Sequence, residues 1–146
     1  MTTFVIDASI AVKWVVEEPG TPEALALRSA ALLAPDLLIP ECANILWKKT
    51  RLGQLTQAEA SAAAGLLERA DVELCPMRTH LQAATALAIE LDHPAYDCIY
   101  VALAMEKGCV FATADQRLVR KSRQGPRQDV AAVILDLPQA AASIRP

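Results

Sequence analysis

The stretch TFVIDASIAVKWVVEE, residues 3–18, determines the expected class of fold. Residues 3–7 are apolar and rich in β-formers, which predicts a strand. A helical pattern follows directly through residues 10–18, so that Asp7 lies at the junction of the two elements. A strand that leads straight into a helix is typical of α/β proteins, in which the strands form a parallel sheet.

The same alternation of strand and helix continues along the chain. It predicts a three-layer α/β/α fold, with a central parallel twisted sheet flanked by helices, in a single domain over residues 1–146. Further strands are predicted at residues 36–40, 72–76, 109–114 and within 129–137. Helices are predicted over 41–51, 79–91 and 94–107, with Gly53 as the stop signal after the first of these. Three more are predicted from their N-terminal signals: one from Thr21 as a capping residue ahead of Pro22, one from the capping box of Thr56 to about residue 70, and one from Asp115.

The composition agrees with a folded domain that has a well-filled core. Of the 146 residues, 53% are hydrophobic, and no apolar run approaches the ~20 residues that span a bilayer. The N-terminus lacks the basic and apolar regions of a signal peptide. None of the four cysteines forms a CxxC pair, so we expect reduced core cysteines. These features predict a cytoplasmic protein without membrane contact.

Three acids stand where a parallel sheet would gather them at one edge. Asp7 is the last residue of the first predicted strand, Asp115 lies just beyond the strand predicted at residues 109–114, and Glu41 follows the one predicted at residues 36–40. Open α/β sheets bind ligands at the carboxyl ends of their strands, near a switch in strand order. Each of these acids also has a simpler interpretation, as a helix cap or as a first-turn acid that stabilises the helix dipole.

Asp97 is harder to interpret as a cap. It lies in the first turn of the helix predicted for PAYDCIYVALA, residues 94–104, and its neighbours Tyr96, Cys98 and Ile99 are apolar or aromatic. A carboxylate in such surroundings costs free energy unless another group compensates it. We therefore expect Asp97 to join the other three acids at the same edge of the sheet.

A divalent cation would resolve the repulsion within such a cluster of carboxylates. Oxygen ligands without His or Cys favour hard ions such as Mg²⁺ or Mn²⁺. Because His80 and His93 are the only histidines, a histidine-based metal site or a Ser-His-Asp triad is poorly supported.

Four motifs in this order, FVIDASIAVKW, IPECANILWK, AYDCIYVALA and FATADQRL, resemble those of the PIN-domain ribonucleases, and most closely the VapC-type toxins of type II toxin–antitoxin systems. The resemblance covers nearly the whole chain. It implies a PIN-like fold and an acidic pocket that binds Mg²⁺ or Mn²⁺. The catalytic, metal-binding acids of the family fall on Asp7, Glu41, Asp97 and Asp115, and its supporting polar residues on Ser9, Asn44 and Thr113.

The resemblance also implies an activity and partners. The activity is that of an endoribonuclease toxin, which hydrolyses RNA to 5′-phosphate and 3′-hydroxyl ends and inhibits translation and growth. The partners are a second copy, in a homodimer, and a cognate VapB-like antitoxin that occupies the active-site groove. The helices around Trp14 and Trp47 are candidate contact surfaces, although both side chains also suit a core. Some relatives carry a further Asp where this chain has Leu118, so the number of ions held stays open.

The charge pattern is ambiguous for an RNA substrate. A net charge of −3 counts mildly against a nucleic-acid partner, but residues 117–127 carry five positive charges and no negative one. An ordinary solvated surface would explain these charges as well. The candidate RNA-binding residues are Arg117, Arg120, Lys121 and Arg123, with Lys48 and Arg51 as weaker candidates on the helix that begins with Glu41.

Three alternative functions remain at this point. A non-catalytic PIN-like scaffold that binds protein or RNA would have no need for four repelling acids. A Mg²⁺-dependent phosphatase or phospho-acceptor domain also uses an Asp at a strand end, but Ala8 stands where its adjacent second acid is expected. A dinucleotide-binding module is weaker still, because no GxGxxG follows the first strand.

Overall fold

A parallel sheet of five strands forms the centre of the computed structural model, which describes residues 2–144. The strands lie in the order β3-β2-β1-β4-β5, and all neighbouring pairs are parallel. The chain therefore adds strands on one side of β1 first and then on the other. In chain order they are β1 (Thr3–Ile6), β2 (Ala31–Pro35), β3 (Glu73–Cys75), β4 (Val110–Thr113) and β5 (Ile134–Asp136).

Helices occupy most of the segments between the strands. Two of these segments also contain single 3₁₀ turns, at Leu27–Ser29 and Arg78–His80. The α-helices are α1 (Ala8–Lys13), α2 (Thr21–Ala26), α3 (Leu38–Arg51), α4 (Gln57–Glu68), α5 (Leu81–Leu91), α6 (Ala95–Lys107), α7 (Gln116–Gln124), α8 (Gln128–Ala132) and α9 (Leu137–Ser143).

Burial of the central strand shows that helices cover both faces of the sheet. Neighbouring residues of a strand point to opposite faces. Phe4, Val5 and Ile6 are nevertheless all buried, as is typical of a parallel sheet between two helical layers. The predicted α/β/α arrangement is thus confirmed.

Helix α6 packs across the middle of this sheet. It contacts β1, β2 and β4, and it also packs against α5. The Tyr100 ring is fully buried and stacks on Phe111 of β4, with ring centroids 5.4 Å apart and planes inclined by 17°. This packing fixes the position of Asp97, which lies one helical turn before Tyr100.

The strand predicted at residues 36–40 is wrong. The second strand is the preceding apolar run, which pairs with β1 through partners such as Phe4 and Leu32. Residues 38–40 instead form the first turn of α3, where the missing N–H of Pro40 costs nothing because first-turn amides have no helical acceptor. Glu41 therefore lies within the first turn of α3, as the fourth residue of the helix, rather than directly behind a strand.

The strand predicted within residues 129–137 is confirmed as β5, and the segment before it forms the short helix α8. Two features near other helix starts differ from the prediction. Helix α9, which was not predicted, begins at a capping box of Asp136 and Gln139. At α2 the N-cap is Gly20, with φ +93°, and Thr21 is already inside the helix.

Several local predictions are confirmed. The capping box of Thr56 starts α4, and Asp115 is the N-cap of α7. Gly53, with φ +76°, follows the end of α3 in the left-handed conformation that favours glycine. Within residues 2–144, every helix falls short of the length or apolar character that crossing a membrane requires.

Candidate active site

An open pocket at the carboxyl edge of the sheet brings the four predicted acids together. Asp7 follows β1 and Asp115 follows β4, the two neighbouring strands between which the strand order reverses. Glu41 and Asp97 reach the pocket from the first turns of α3 and α6. The position agrees with the rule for ligand sites in open α/β sheets. The remaining lining residues are Ala8, Ser9, Ile45 and Ala114.

Asp7 is the most deeply buried of the four acids, with 6% of its surface exposed. Its Oδ1 accepts hydrogen bonds from Ser9 Oγ at 2.5 Å and from the Ile10 amide at 3.2 Å, so Asp7 is also the N-cap of α1. Its Oδ2 accepts one from Thr113 Oγ1 at 2.7 Å. Burial raises the pKa of Asp7 to about 6, helped by the charge of Asp97 and opposed by these hydrogen bonds.

Glu41 is held by a tyrosine that the sequence analysis did not place in the site. The buried Tyr100 hydroxyl donates a hydrogen bond to Glu41 Oε1. Burial raises the pKa of Glu41, and the charges of Asp7 and Asp97 raise it further, whereas the Tyr100 hydrogen bond lowers it. Burial and the contact with Glu41 likewise raise the pKa of Tyr100, so its hydroxyl keeps its proton and acts as a donor.

Asp97 and Asp115 share a histidine. His93 Nε2 lies 2.7 Å from Asp97 Oδ2 and 3.5 Å from Asp115 Oδ2. Burial raises the pKa of Asp97, as does the neighbouring carboxyl of Asp115, while the hydrogen bond with His93 lowers it. Asp115 Oδ1 accepts hydrogen bonds from the amides of Arg117 and Leu118, which cap α7.

Each acid in the pocket has one carboxylate oxygen that residues 2–144 leave able to accept a further bond. Glu41 Oε2 and Asp97 Oδ1 accept no hydrogen bond from these residues, and Asp115 Oδ2 has only the long contact with His93. Asp7 Oδ2 accepts one bond and has a second lone pair. A set of anchored carboxylates with open oxygens suits a hard divalent cation. Ligand atoms of His93, Asp97 and Asp115 also lie within 4.8 Å of one another, a second combination that could hold an ion.

The predicted supporting residues divide into two kinds. Ser9 and Thr113 both donate to Asp7, and Thr113 Oγ1 also accepts from the Asp115 amide at 3.0 Å, so it links two of the acids. Asn44 is exposed on α3 and does not line the pocket. Leu118, where some relatives carry an acid, is fully buried in the core.

His93 and Tyr100 were not among the predicted site residues. Tyr100, three residues after Asp97, lies on the same side of α6, whereas His93 precedes this helix and its spacing gave no such signal. The small number of histidines was the wrong criterion. One histidine is enough to orient a carboxylate.

The predicted RNA-binding residues of α7 do not all remain available. Lys121 Nζ donates to the Asp92 carbonyl, and Arg123 donates to Gln139 Oε1 at 2.5 Å. Arg117 and Arg120 are exposed and have no side-chain hydrogen bond or ion pair within residues 2–144. On α3, Lys48 is exposed, and the Arg51 guanidinium lies over the Trp47 ring at 5.5 Å.

Residues 4–124 match the model of the PIN domain family, so the chain belongs to this family. It is similar to Ribonuclease VapC3 of Pyrobaculum aerophilum, with 37% identity over 124 residues. That alignment covers 80% of this chain and 92% of the relative.

Solved structures show the same fold. The crystal structure of PAE2754 from Pyrobaculum aerophilum is 23% identical, with a TM-score of 0.70, and the match covers 97% of this chain and 88% of that one. DNA-bound VapBC from Salmonella typhimurium is 16% identical, with a TM-score of 0.61 and coverage of 94% and 99%. At these identities the likeness extends to the fold alone.

Proposed function

We propose that this protein is a metal-dependent endoribonuclease and the toxin of a type II toxin–antitoxin module, which inhibits translation and growth by hydrolysing RNA. The observation that carries the proposal is the convergence of Asp7, Glu41, Asp97 and Asp115 in one pocket. Membership of the PIN domain family and the similarity to a ribonuclease support it.

The four acids fit Mg²⁺ or Mn²⁺, and we propose them as its ligands and as the catalytic residues. When bound, the ion would polarise a phosphodiester oxygen and lower the pKa of an attacking water. The protein's part is to hold the carboxylates in place. Ser9 and Thr113 anchor Asp7, and their hydrogen bonds to its carboxylate oppose the rise in pKa that burial causes.

Arg117 and Arg120 are the best candidates for contacts with the RNA backbone. They project from the helix that Asp115 caps, next to the acidic pocket, and they are exposed. Contacts between arginine and phosphate supply affinity and register without reading sequence. Lys121 and Arg123 are already engaged within the fold, and Lys48 and Arg51 lie on α3 as secondary candidates.

Helix α3 is the proposed contact surface for a VapB-like antitoxin. It carries Glu41 and Ile45 into the acidic pocket, and Ile39 and Trp47 are about half exposed on it. The VapBC neighbour from Salmonella typhimurium supports a partner of this kind. Trp14, by contrast, is half-buried, and its indole N–H donates to the Ala24 carbonyl at 2.8 Å, so it serves the fold. A homodimer in the cytoplasm is the expected form of the free toxin, to be tested by light scattering.

The experiment that tests the activity uses purified, antitoxin-free protein and a total-RNA pool. Discrete fragments should appear with Mg²⁺ or Mn²⁺ and disappear with EDTA. Asp97→Asn should abolish them, whereas Asp71→Asn, at an exposed acid outside the pocket, should not. Equal behaviour of the wild-type protein and Asp97→Asn, without any dependence on metal, would contradict the proposal.

A further inference from the structure

We propose that His93 is a positioning residue, which donates a hydrogen bond from its Nε2–H to Asp97 Oδ2 and thereby leaves Asp97 Oδ1 for the metal ion. The inference rests on the proposed function only in taking the pocket as the metal site. His93 is almost entirely buried, with 3% of its side chain exposed, and its Nε2 faces the carboxylates of both Asp97 and Asp115.

The two ring nitrogens of His93 have opposite surroundings. Nδ1 is buried and has no hydrogen-bond partner within residues 2–144, whereas Nε2 has a carboxylate oxygen at 2.7 Å. A proton on Nδ1 would be a buried donor without an acceptor, which costs free energy. A proton on Nε2 is fully used. The geometry therefore assigns a proton to Nε2, which donates it to the Asp97 carboxylate.

This assignment distinguishes a positioning role from a role as metal ligand. A histidine that binds metal through Nε2 carries its proton on Nδ1, and that N–H normally donates to a carboxylate, a carbonyl or water. The described residues provide no such acceptor for His93 Nδ1. His93, Asp97 and Asp115 are close enough to share an ion, but the ring nitrogens favour His93 as the donor that orients the acids.

The loop that carries His93 is anchored at several points. The His93 amide donates to the Ala88 carbonyl at 3.1 Å, and Asp92 ends α5 in the left-handed conformation, with φ 50°. Lys121 Nζ donates to the Asp92 carbonyl. The Lys121 hydrogen bond thus connects this loop to α7, the helix that Asp115 caps, and helps to fix the imidazole relative to both carboxylates.

Three variants separate the positioning role from a merely structural one. His93→Ala removes the donor and should weaken Mn²⁺ binding by about 10- to 100-fold, the usual effect of losing a group that orients a metal ligand. His93→Gln offers an amide N–H of similar reach and should restore most of the affinity. The matched control is His80→Ala, which removes the other buried histidine, bonded to Glu106 outside the pocket, and should leave Mn²⁺ affinity unchanged.

The closing experiment combines calorimetric titration of Mn²⁺ into these proteins with NMR of the metal-free, ¹⁵N-histidine-labelled wild type. The expected NMR spectrum shows His93 protonated on Nε2. Pulsed EPR of the wild-type Mn²⁺ complex should show no coupling between the ion and a His93 nitrogen, so that the spectrum of His93→Gln is the same. A proton on Nδ1, a His93 nitrogen bound to Mn²⁺, or His93→Gln as weak as His93→Ala would overturn the proposal. Failure of the proposed function would give a different result: the Mn²⁺ affinities and the NMR and EPR spectra would be as expected, but the wild-type protein would not cleave RNA.

Discussion

Each end of α6 carries an acid that pairs with a histidine from outside the helix, and only one of the two pairs lies in the candidate site. At the N-terminal end, His93 contacts Asp97 at 2.7 Å, and at the C-terminal end, His80 contacts Glu106 at 2.5 Å. Both imidazoles are buried, and each leaves its Nδ1 without a hydrogen-bond partner within residues 2–144.

The acids of the two pairs differ in their surroundings. Burial and a second carboxyl raise the pKa of Asp97, whereas the hydrogen bond from His80 lowers the pKa of Glu106, which is 55% exposed. Asp97 lies with three other acids at the carboxyl edge of the sheet, and Glu106 does not. A histidine–acid pair by itself therefore does not mark a site, and the position of the His93–Asp97 pair among the other acids is what supports the proposed role.

The largest effect should come from removing Asp97, the acid of the pair in the pocket, and not from removing Glu106, the acid of the other pair. Asp97→Asn should reduce RNA cleavage by at least about 100-fold, the scale on which single groups that stabilise a transition state act. Glu106→Gln should leave the rate near that of the wild type. Initial rates of RNA cleavage with saturating Mn²⁺ measure both. Equal losses in the two variants would show that the position of Asp97 in the pocket has no special importance for cleavage.

The second prediction concerns the pH dependence of stability that a buried acid imposes. The pKa of Asp7 is about 6 in the folded protein, well above the value of about 3.9 for an unfolded aspartate. Between these values the folded state binds more protons, so the free energy of unfolding falls as pH rises.

Asp7→Asn should lessen this fall, gaining about 2 kcal/mol relative to the wild type between pH 4 and pH 7, while the raised pKa values of Glu41 and Asp97 preserve the remainder. Urea denaturation at a series of pH values, with EDTA present, measures the difference. Glu106→Gln should retain the fall seen in the wild type. A wild-type stability that rises over this range relative to Asp7→Asn would contradict the burial of Asp7.

A smaller effect is expected from the hydroxyl that holds Glu41. Tyr100→Phe removes the donor but keeps the ring that stacks on Phe111, so Mn²⁺ should bind about 10-fold more weakly with little change in the fold. Tyr96→Phe, on the same helix but 65% exposed, is the matched control. Calorimetric titration of Mn²⁺ compares the two, and equal affinities would exclude this role for Tyr100.

The smallest effect concerns the exposed arginines beside the pocket. In an Asp97→Asn background, which prevents cleavage, Arg117→Ala and Arg120→Ala should each weaken RNA binding a few-fold. Each should also reduce the salt dependence of the binding constant by about 0.7 in slope. Arg69→Ala, at the exposed C-cap residue of α4, should change neither quantity. Fluorescence anisotropy with a single-stranded RNA, at several salt concentrations, provides the measurement.

The fold could be predicted from the sequence as far as local patterns reach. Strand–helix alternation and capping residues such as Thr56 and Asp115 are encoded within a few residues. The segment ALLAPDLLIP, residues 31–40, is different, because both of its halves are short apolar runs. Pairing with β1, whose partner residues lie 28 positions earlier in the chain, selects the first half as the strand, and no local signal does so.

The site shows the same division. The acids could be predicted because strand ends and helix starts meet at one edge of a parallel sheet. The groups that hold them could not, since Tyr100 reaches Glu41 across 59 positions of sequence and only packing brings the two together. Exposure also depends on tertiary structure, which is why Arg123 looked as available as Arg117 in the sequence.

Thermal unfolding of the wild type, Asp97→Asn and Glu106→Gln during titration with Mn²⁺ is the most direct test of whether the four acids form a metal site. A ligand that binds only the folded state stabilises it by about 2.7 kcal/mol at 100 times its Kd. We expect Mn²⁺ to raise the Tm of the wild type and of Glu106→Gln, and to leave that of Asp97→Asn unchanged. An unchanged wild-type Tm, or an equal rise in all three proteins, would show that the four acids do not form a metal site.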